Sequence, residues 1–251
     1  MAYYRRNAMP PTQFGGMVPP AIKNLLIANG VLFVLYFLAV HLPIPPLEAV
    51  FYSLSLIPSW LMLGAIWQPV TYLFLHSPFG FSHILFNSLM LWMFGADLER
   101  QWGSTRFLQF YFFCGIGAGL VDAFSRIAMG ETGTATIGNS GAVYGVLLAF
   151  GLLFPDRPIY FWMLFPIPAK IFVMIAGVIA FLMTISSSGS QVAHIAHLAG
   201  MIFAWIYLRH RPKFLDVDWL GSYRQWKLRR SKRRFEVYMK KRDREGGGRV
   251  N

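Results

Sequence analysis

The sequence predicts an all-α membrane protein with six transmembrane helices, and three observations carry that expectation. Of 251 residues, 55% are hydrophobic and only 14% charged, with the charges gathered at the ends and in short links. Apolar runs recur at about 25–42, 83–98, 107–127, 140–154, 171–185 and 192–208. Basic residues mark alternate links: Arg5, Arg6 and Lys23 precede the first run, Arg100 and Arg106 follow the second, and Arg157 and Lys170 follow the fourth. The intervening links are nearly bare, since 43–82 carries only Glu48 and 186–191 carries no charge. Lysine and arginine stay inside, so both termini are expected to be cytoplasmic. Arg126, near the end of the third run, is the one residue that runs against this pattern.

Residues 1–20 read as a flexible cytoplasmic tail without the apolar core of a cleavable signal, so the first run serves as an uncleaved anchor. Residues 21–210 form one membrane domain. Pro43, Pro45 and Pro46 end the first helix, and 43–82 follows as a first loop rich in Trp60, Trp67, Phe79 and Phe81. Aromatic rings settle at the membrane interface, so this loop is expected to be embedded there. In the second run His83 and Asn87 stand four residues apart on one helical face, roughly 19–25 Å from the cytoplasmic end at a ~1.5 Å rise. Gly115, Gly117, Ala118 and Gly119 in the third run suit close helix packing, and no strand or lysine accompanies them as a phosphate loop requires. Cys114, the single cysteine, reads as a small buried hydrophobe.

The fourth run starts at Ser140, between Asn139 and Gly141, and must end before Pro155-Asp156-Arg157-Pro158. Some 15 residues at ~1.5 Å each cover roughly 22 Å of a ~30 Å hydrocarbon core. The helix is too short to span, so Ser140 sits below the outer surface and irregular backbone completes the crossing. Such backbone is tolerated only in protein or beside a water-filled cavity. A wet pocket with Ser140 at its floor is therefore expected. The sixth run contains His194 and His197, and intramembrane histidines point to function. His197 lies roughly 18 Å from Arg209, in the layer of Ser140. The Gly200-x-x-x-Ala204 spacing allows that helix to approach the Ser140 helix closely, which favours His197 over His194 as the partner.

One layer thus holds a hydroxyl nucleophile, an imidazole base and side-chain donors. Histidine can take the serine proton, and the backbone N–H of Ser140, with His83 and Asn87, can face a developing oxyanion. No acidic residue is expected in the layer, which leaves Tyr144, one turn below Ser140, as a platform for the imidazole.

The residues Gly138-x-Ser140-Gly141-x-x-Tyr144, His83-x-x-x-Asn87, Ala196-His197-x-x-Gly200 and Glu99-Arg100-x-x-Gly103-Ser104 together resemble the rhomboid family of intramembrane serine proteases, over roughly residues 20–210. The resemblance implies a six-helix bundle with a membrane-embedded first loop. It makes Ser140 the nucleophile and His197 the base, with His83, Asn87 and Ser140 in the oxyanion hole. Tyr144 would stack on His197, Glu99 would tie the cytoplasmic loop, and Gly138, Gly141 and Gly200 would support the site. It further implies cleavage of single-pass transmembrane proteins near the outer face, without metal or cofactor. Two departures stand out. Trp67-Gln68 replaces the Trp-Arg of many relatives, and the connection to His83 is about two residues longer, around Ser77-Pro78-Phe79-Gly80.

Residues 211–251 carry 14 Lys and Arg against 5 Asp and Glu. On a membrane protein such a tail suits the anionic lipids of the inner leaflet, and no nucleic acid partner is expected. A catalytically silent protein of the same fold that binds membrane clients is the alternative. Intact Ser140 and His197 speak for the protease, and the compact six-helix form suits a bacterial inner membrane. A transporter lacks support, since the chain shows neither paired intramembrane charges nor two repeated halves.

Overall fold

A computed structural model describes residues 17–42, 45–161, 165–186, 191–210, 226–232 and 235. The expectations for the N-terminal tail up to residue 16, for the 187–190 turn and for most of the basic tail lie outside these residues. The chain divides into two compact units, Met1–Leu208 and Arg209–Asn251. In the second, residues 226–232 are helical and the Arg230 guanidinium lies 5.3 Å from the centre of the Trp226 ring.

The first unit is predominantly helical. Its helices are α1 (Pro20–His41), α2 (Pro45–Leu54), α3 (Pro58–Met62), α4 (Gln68–Thr71), α5 (Phe81–Trp102), α6 (Ser104–Met129), α7 (Ser140–Leu153), α8 (Ala169–Ser186) and α9 (Gln191–His210). Each of the six apolar runs lies in a helix. Among the described residues, α1 and α6 are long and apolar enough to cross a membrane, while α7 and residues 169–185 of α8 are apolar but shorter.

The all-α expectation needs one correction. Between α7 and α8, strands β1 (Pro158–Phe161) and β2 (Phe165–Pro168) pair antiparallel, with Pro158 opposite Pro168 and Phe161 opposite Phe165. The prolines at 155 and 158 stop the helix, and the following β-branched and aromatic residues favour extended backbone. The hairpin base is pinned from below: Arg157 donates to Asp97 of α5 at 2.8 Å, and the Ala169 N–H donates to the Arg157 carbonyl at 2.9 Å.

Helix α7 is the centre of the unit. Nine of its residues, among them Gly141, Gly145, Val146 and Phe150, are buried on every side. Its small residues face Ala118 and Cys114 of α6 and Val173 of α8, and Phe150 packs edge-on against Phe94 of α5 at 4.9 Å. Cys114 is free and buried, a packing residue under Gly145.

At the other end, Glu99 joins three helices. Proline opens α1 and no side chain caps it locally, so its first N–H groups need outside acceptors. The Glu99 carboxylate accepts the Ala21 and Ile22 N–H groups at 2.8 and 2.9 Å and the Ser104 hydroxyl at 2.6 Å. The carboxylate also sits where the α1 dipole favours negative charge.

The first loop folds as α2, α3, α4 and a 3-10 turn, Tyr72–Phe74. Gln68, fully buried, accepts the Ile57 N–H at 3.0 Å and donates to the Ser53 carbonyl at 3.2 Å. A neutral amide therefore ties this loop together. The loop joins the segment before α7 through reciprocal backbone bonds between Leu56 and Thr136, at 3.0 and 2.8 Å. Thr136 in turn donates to Asp122 at 2.5 Å, and Arg126 donates to the same carboxylate oxygen at 3.2 Å. The charge of Arg126 is thereby matched within the fold.

Two stability outcomes follow from these bonds. Glu99→Ala removes the acceptor for two buried N–H groups and should cost ~2–4 kcal/mol, read as a fall of several degrees in thermal midpoint in detergent. Gln68→Leu keeps the volume but orphans the Ile57 N–H, at ~1–3 kcal/mol. Limited proteolysis should then cut first within residues 45–80.

Candidate active site

The start of α7 sets the site. Gly138 has φ of 115°, a left-handed conformation that side chains resist, and a Cβ there would lie 2.9 Å from the His83 ring. Glycine at this position lets the chain turn into α7 while His83 of α5 lies against it. The Gly138 N–H donates to the Tyr72 carbonyl at 3.0 Å, so the first loop holds the turn from the other side. Asn139 is the N-cap residue, and its carbonyl accepts the Val143 N–H at 3.0 Å. Ser140 is thus the first helical residue, half-buried, with its own N–H among those a helix start leaves without an intrahelical acceptor.

Helix α9 brings the imidazole. A Cβ at Gly200 would fall inside the contact distance of the Gly141 carbonyl, and one at Gly145 would lie 3.0 Å from the Gly200 carbonyl. The two backbones therefore touch, which only glycine at these positions allows. At that crossing His197 Nε2 lies 2.8 Å from Ser140 Oγ. The Tyr144 ring stacks on the His197 ring at 4.3 Å with 5° between the planes. His197 Nδ1 has no hydrogen-bond partner among the described residues, so the ring is held by stacking and packing and not by a carboxylate. His194 lies one turn away, edge-on to His197 at 5.8 Å between ring centres, and it is His197 that meets the serine.

Of the residues picked from the sequence, Ser140, His197, Tyr144, Gly138, Gly141, Gly200 and His83 come together here. Asn87, buried on α5, uses one amide hydrogen internally, donating to the His83 carbonyl at 3.0 Å. Its second amide hydrogen is left for another acceptor. Glu99 stands apart, in the α1 cap.

Two residues were missed. His76, fully buried, meets Asn139 Oδ1 at 3.3 Å through Nε2 and lies 5.3 Å from His83 between ring centres. The pair joins the first loop to the residue before Ser140. A lone histidine in an almost uncharged loop was the available signal, but no helical spacing relates it to His83. Asn139, also fully buried, carries no pattern that separates it from an ordinary N-cap.

The arrangement holds what hydroxyl-based acyl transfer requires: an accessible oxygen hydrogen-bonded to an imidazole, beside a helix start that offers backbone donors. Comparison with known proteins agrees with this chemistry. The family model of the Rhomboid domain matches residues 63–211. The YdcA rhomboid protein of Bacillus subtilis is 30% identical over 140 residues, 55% of this chain and 63% of that protein. Rhomboid protein 1, mitochondrial, of Saccharomyces cerevisiae is 30% identical over 135 residues, 51% of this chain and 37% of that protein. The rhomboid protease GlpG of Haemophilus influenzae is 30% identical over 142 residues, 57% of this chain and 68% of that protein. The chain thus spans less than two thirds of the first two relatives and slightly more of the third. With the family model covering more than half of its length, the chain belongs to the rhomboid family, an integral membrane family.

Proposed function

We propose that the protein is an intramembrane serine endopeptidase that hydrolyses peptide bonds of single-pass transmembrane proteins near the outer face of the membrane. The observation that carries this reading is the 2.8 Å contact between His197 Nε2 and Ser140 Oγ, at a half-buried serine on a helix start. It is the geometry expected of a nucleophile and its base. The relatives named as proteases add support.

In this reading Ser140 Oγ attacks the substrate carbonyl carbon while its proton passes to His197 Nε2. The resulting oxyanion is met by the Ser140 N–H, His83 and the second amide hydrogen of Asn87. The imidazolium then protonates the leaving amine, the C–N bond breaks and an acyl-serine remains. Water, deprotonated by His197, attacks that ester and restores Oγ–H. Tyr144 keeps the ring in register throughout, the part a carboxylate plays in other serine hydrolases. No metal or cofactor takes part.

The same reading has α1, α5, α6, α7, α8 and α9 as six membrane-crossing helices, with the first loop embedded at the outer face and both termini cytoplasmic. Residues 21–210 are then the peptidase domain, between an N-terminal tail and the basic tail 211–251. That tail rests on anionic inner-leaflet lipids and binds no nucleic acid. A bacterial inner membrane is the proposed location. The silent-binder alternative shares this topology and differs in turnover alone.

Liposomes with a labelled single-span substrate test the proposal. Ser140→Ala should reduce cleavage by at least ~10³-fold with the thermal midpoint unchanged, whereas unaltered turnover removes the protease reading. Tyr144→Ala should lower kcat by roughly 10–100-fold with KM nearly constant, because it loosens the base and leaves substrate binding intact.

A further inference from the structure

A second binding feature lies outside the Ser140 site. Between α1 and the turn that leads into α5 is a cleft of about 420 Å³. It is lined by Phe33, Val34, Phe37 and His41 on one wall and by Phe79 and Phe81 on the other. On the second wall Phe79 belongs to the Ser77–Gly80 turn and Phe81 opens α5. The rings of the cleft form a continuous series: Phe81 lies 6.0 Å from Phe33, Phe33 lies 6.3 Å from Phe37, and His41 stacks on Phe37 at 4.0 Å and 22°. Phe79 closes the end, 6.3 Å from His41. Phe79 and Phe81 are 80% and 64% exposed, so both rings are open to an occupant of the cleft.

The chemistry at the His41 end narrows the occupant. His41 Nδ1 lies 2.9 Å from the Phe37 carbonyl, which can only accept, so Nδ1 carries the hydrogen. In its neutral form such a ring offers a lone pair at Nε2, and the centre of the Phe79 ring lies 6.3 Å from that of the imidazole. A donor cation suits both features, because ring faces attract ammonium groups and the imidazole nitrogen accepts an N–H. No lysine or arginine lines the cleft among the described residues, so a headgroup with no cation of its own would leave its phosphate without a counter-charge. A choline headgroup has no N–H to give to Nε2. The apolar remainder, from Phe37 to Phe81, suits an acyl chain.

We infer that this cleft is a binding site for an ethanolamine phospholipid, its ammonium between His41 and Phe79 and one acyl chain along Phe33, Val34 and Phe81. The inference rests on the membrane topology proposed above, which sets the His41 end of α1 at the outer headgroup layer. It does not depend on proteolysis. Bound lipid would brace the turn that precedes His83, and so couple membrane composition to the α5 side of the Ser140 site.

Native mass spectrometry of the full chain, released from micelles with equal amounts of phosphatidylethanolamine, phosphatidylcholine and phosphatidylglycerol of matched chains, tests the site. Ethanolamine lipid should be retained roughly tenfold over the other two. Phe79→Ser and His41→Leu should each bring it down to their level, with the thermal midpoint held within a few degrees. Equal retention of the three lipids by the unaltered protein overturns the inference, as does selectivity that survives both substitutions. Substrate turnover measured on the same samples reports on the protease reading separately, so either can fail while the other stands.

Discussion

The contact on which the rest depends is the approach of two backbones, Gly141 on α7 and Gly200 on α9, so close that a side chain at Gly200 would run into the Gly141 carbonyl. Helices with ordinary side chains at their crossing keep their axes roughly 8–10 Å apart, and glycine at the crossing lets the two backbones come closer. With glycine at the crossing, Ser140 and His197 lie one residue before and three residues before the point of contact, and their side chains meet. The contact between Ser140 and His197 is a consequence of the packing.

The same economy of side chains appears around α7. Ala118 and Cys114 of α6 come up against Gly141 and Gly145, so the helix that carries the hydroxyl is clamped from two directions and cannot drift. Buried polar anchoring gathers at its N-terminal end. There the Asp122, Thr136 and Leu56 bonds, the His76 to Asn139 contact and the Gln68 amide join α6, the first loop and the residues before Ser140 into one hydrogen-bonded layer. The bonds reach from within the first loop, Ile57 to Gln68, to segments far apart in sequence, Leu56 to Thr136. The layer fixes where α7 begins, and hence the height of the serine.

Much of this was legible in the chain because it rests on local rules. Six apolar runs separated by prolines and charges give six helices. The distance from Ser140 to the Pro155 break gives a helix too short to span, and α7 does run only from Ser140 to Leu153. The Gly200 spacing separated His197 from His194 because packing faces follow helical periodicity. What escaped was set by contacts without a period. His76 and Asn139 meet across 63 residues that include all of α5 and α6, and Gln68 holds its loop through backbone groups that no pattern marks. The β1–β2 hairpin was read as an inner loop, since a link of two four-residue strands carries too little alternation to stand out from a membrane interface rich in aromatic residues. Asn87 looked like a free donor until the His83 carbonyl, one turn earlier, took half of its amide.

The account stands or falls on whether the Ser140 hydroxyl is made nucleophilic by His197. Labelling with a fluorophosphonate in liposomes, read by peptide mass spectrometry, asks that question without any substrate. The adduct should form on Ser140 and vanish when His197 is replaced by alanine, while His194→Ala leaves it in place. An adduct that persists without His197, or one found on a different serine, would contradict the central claim.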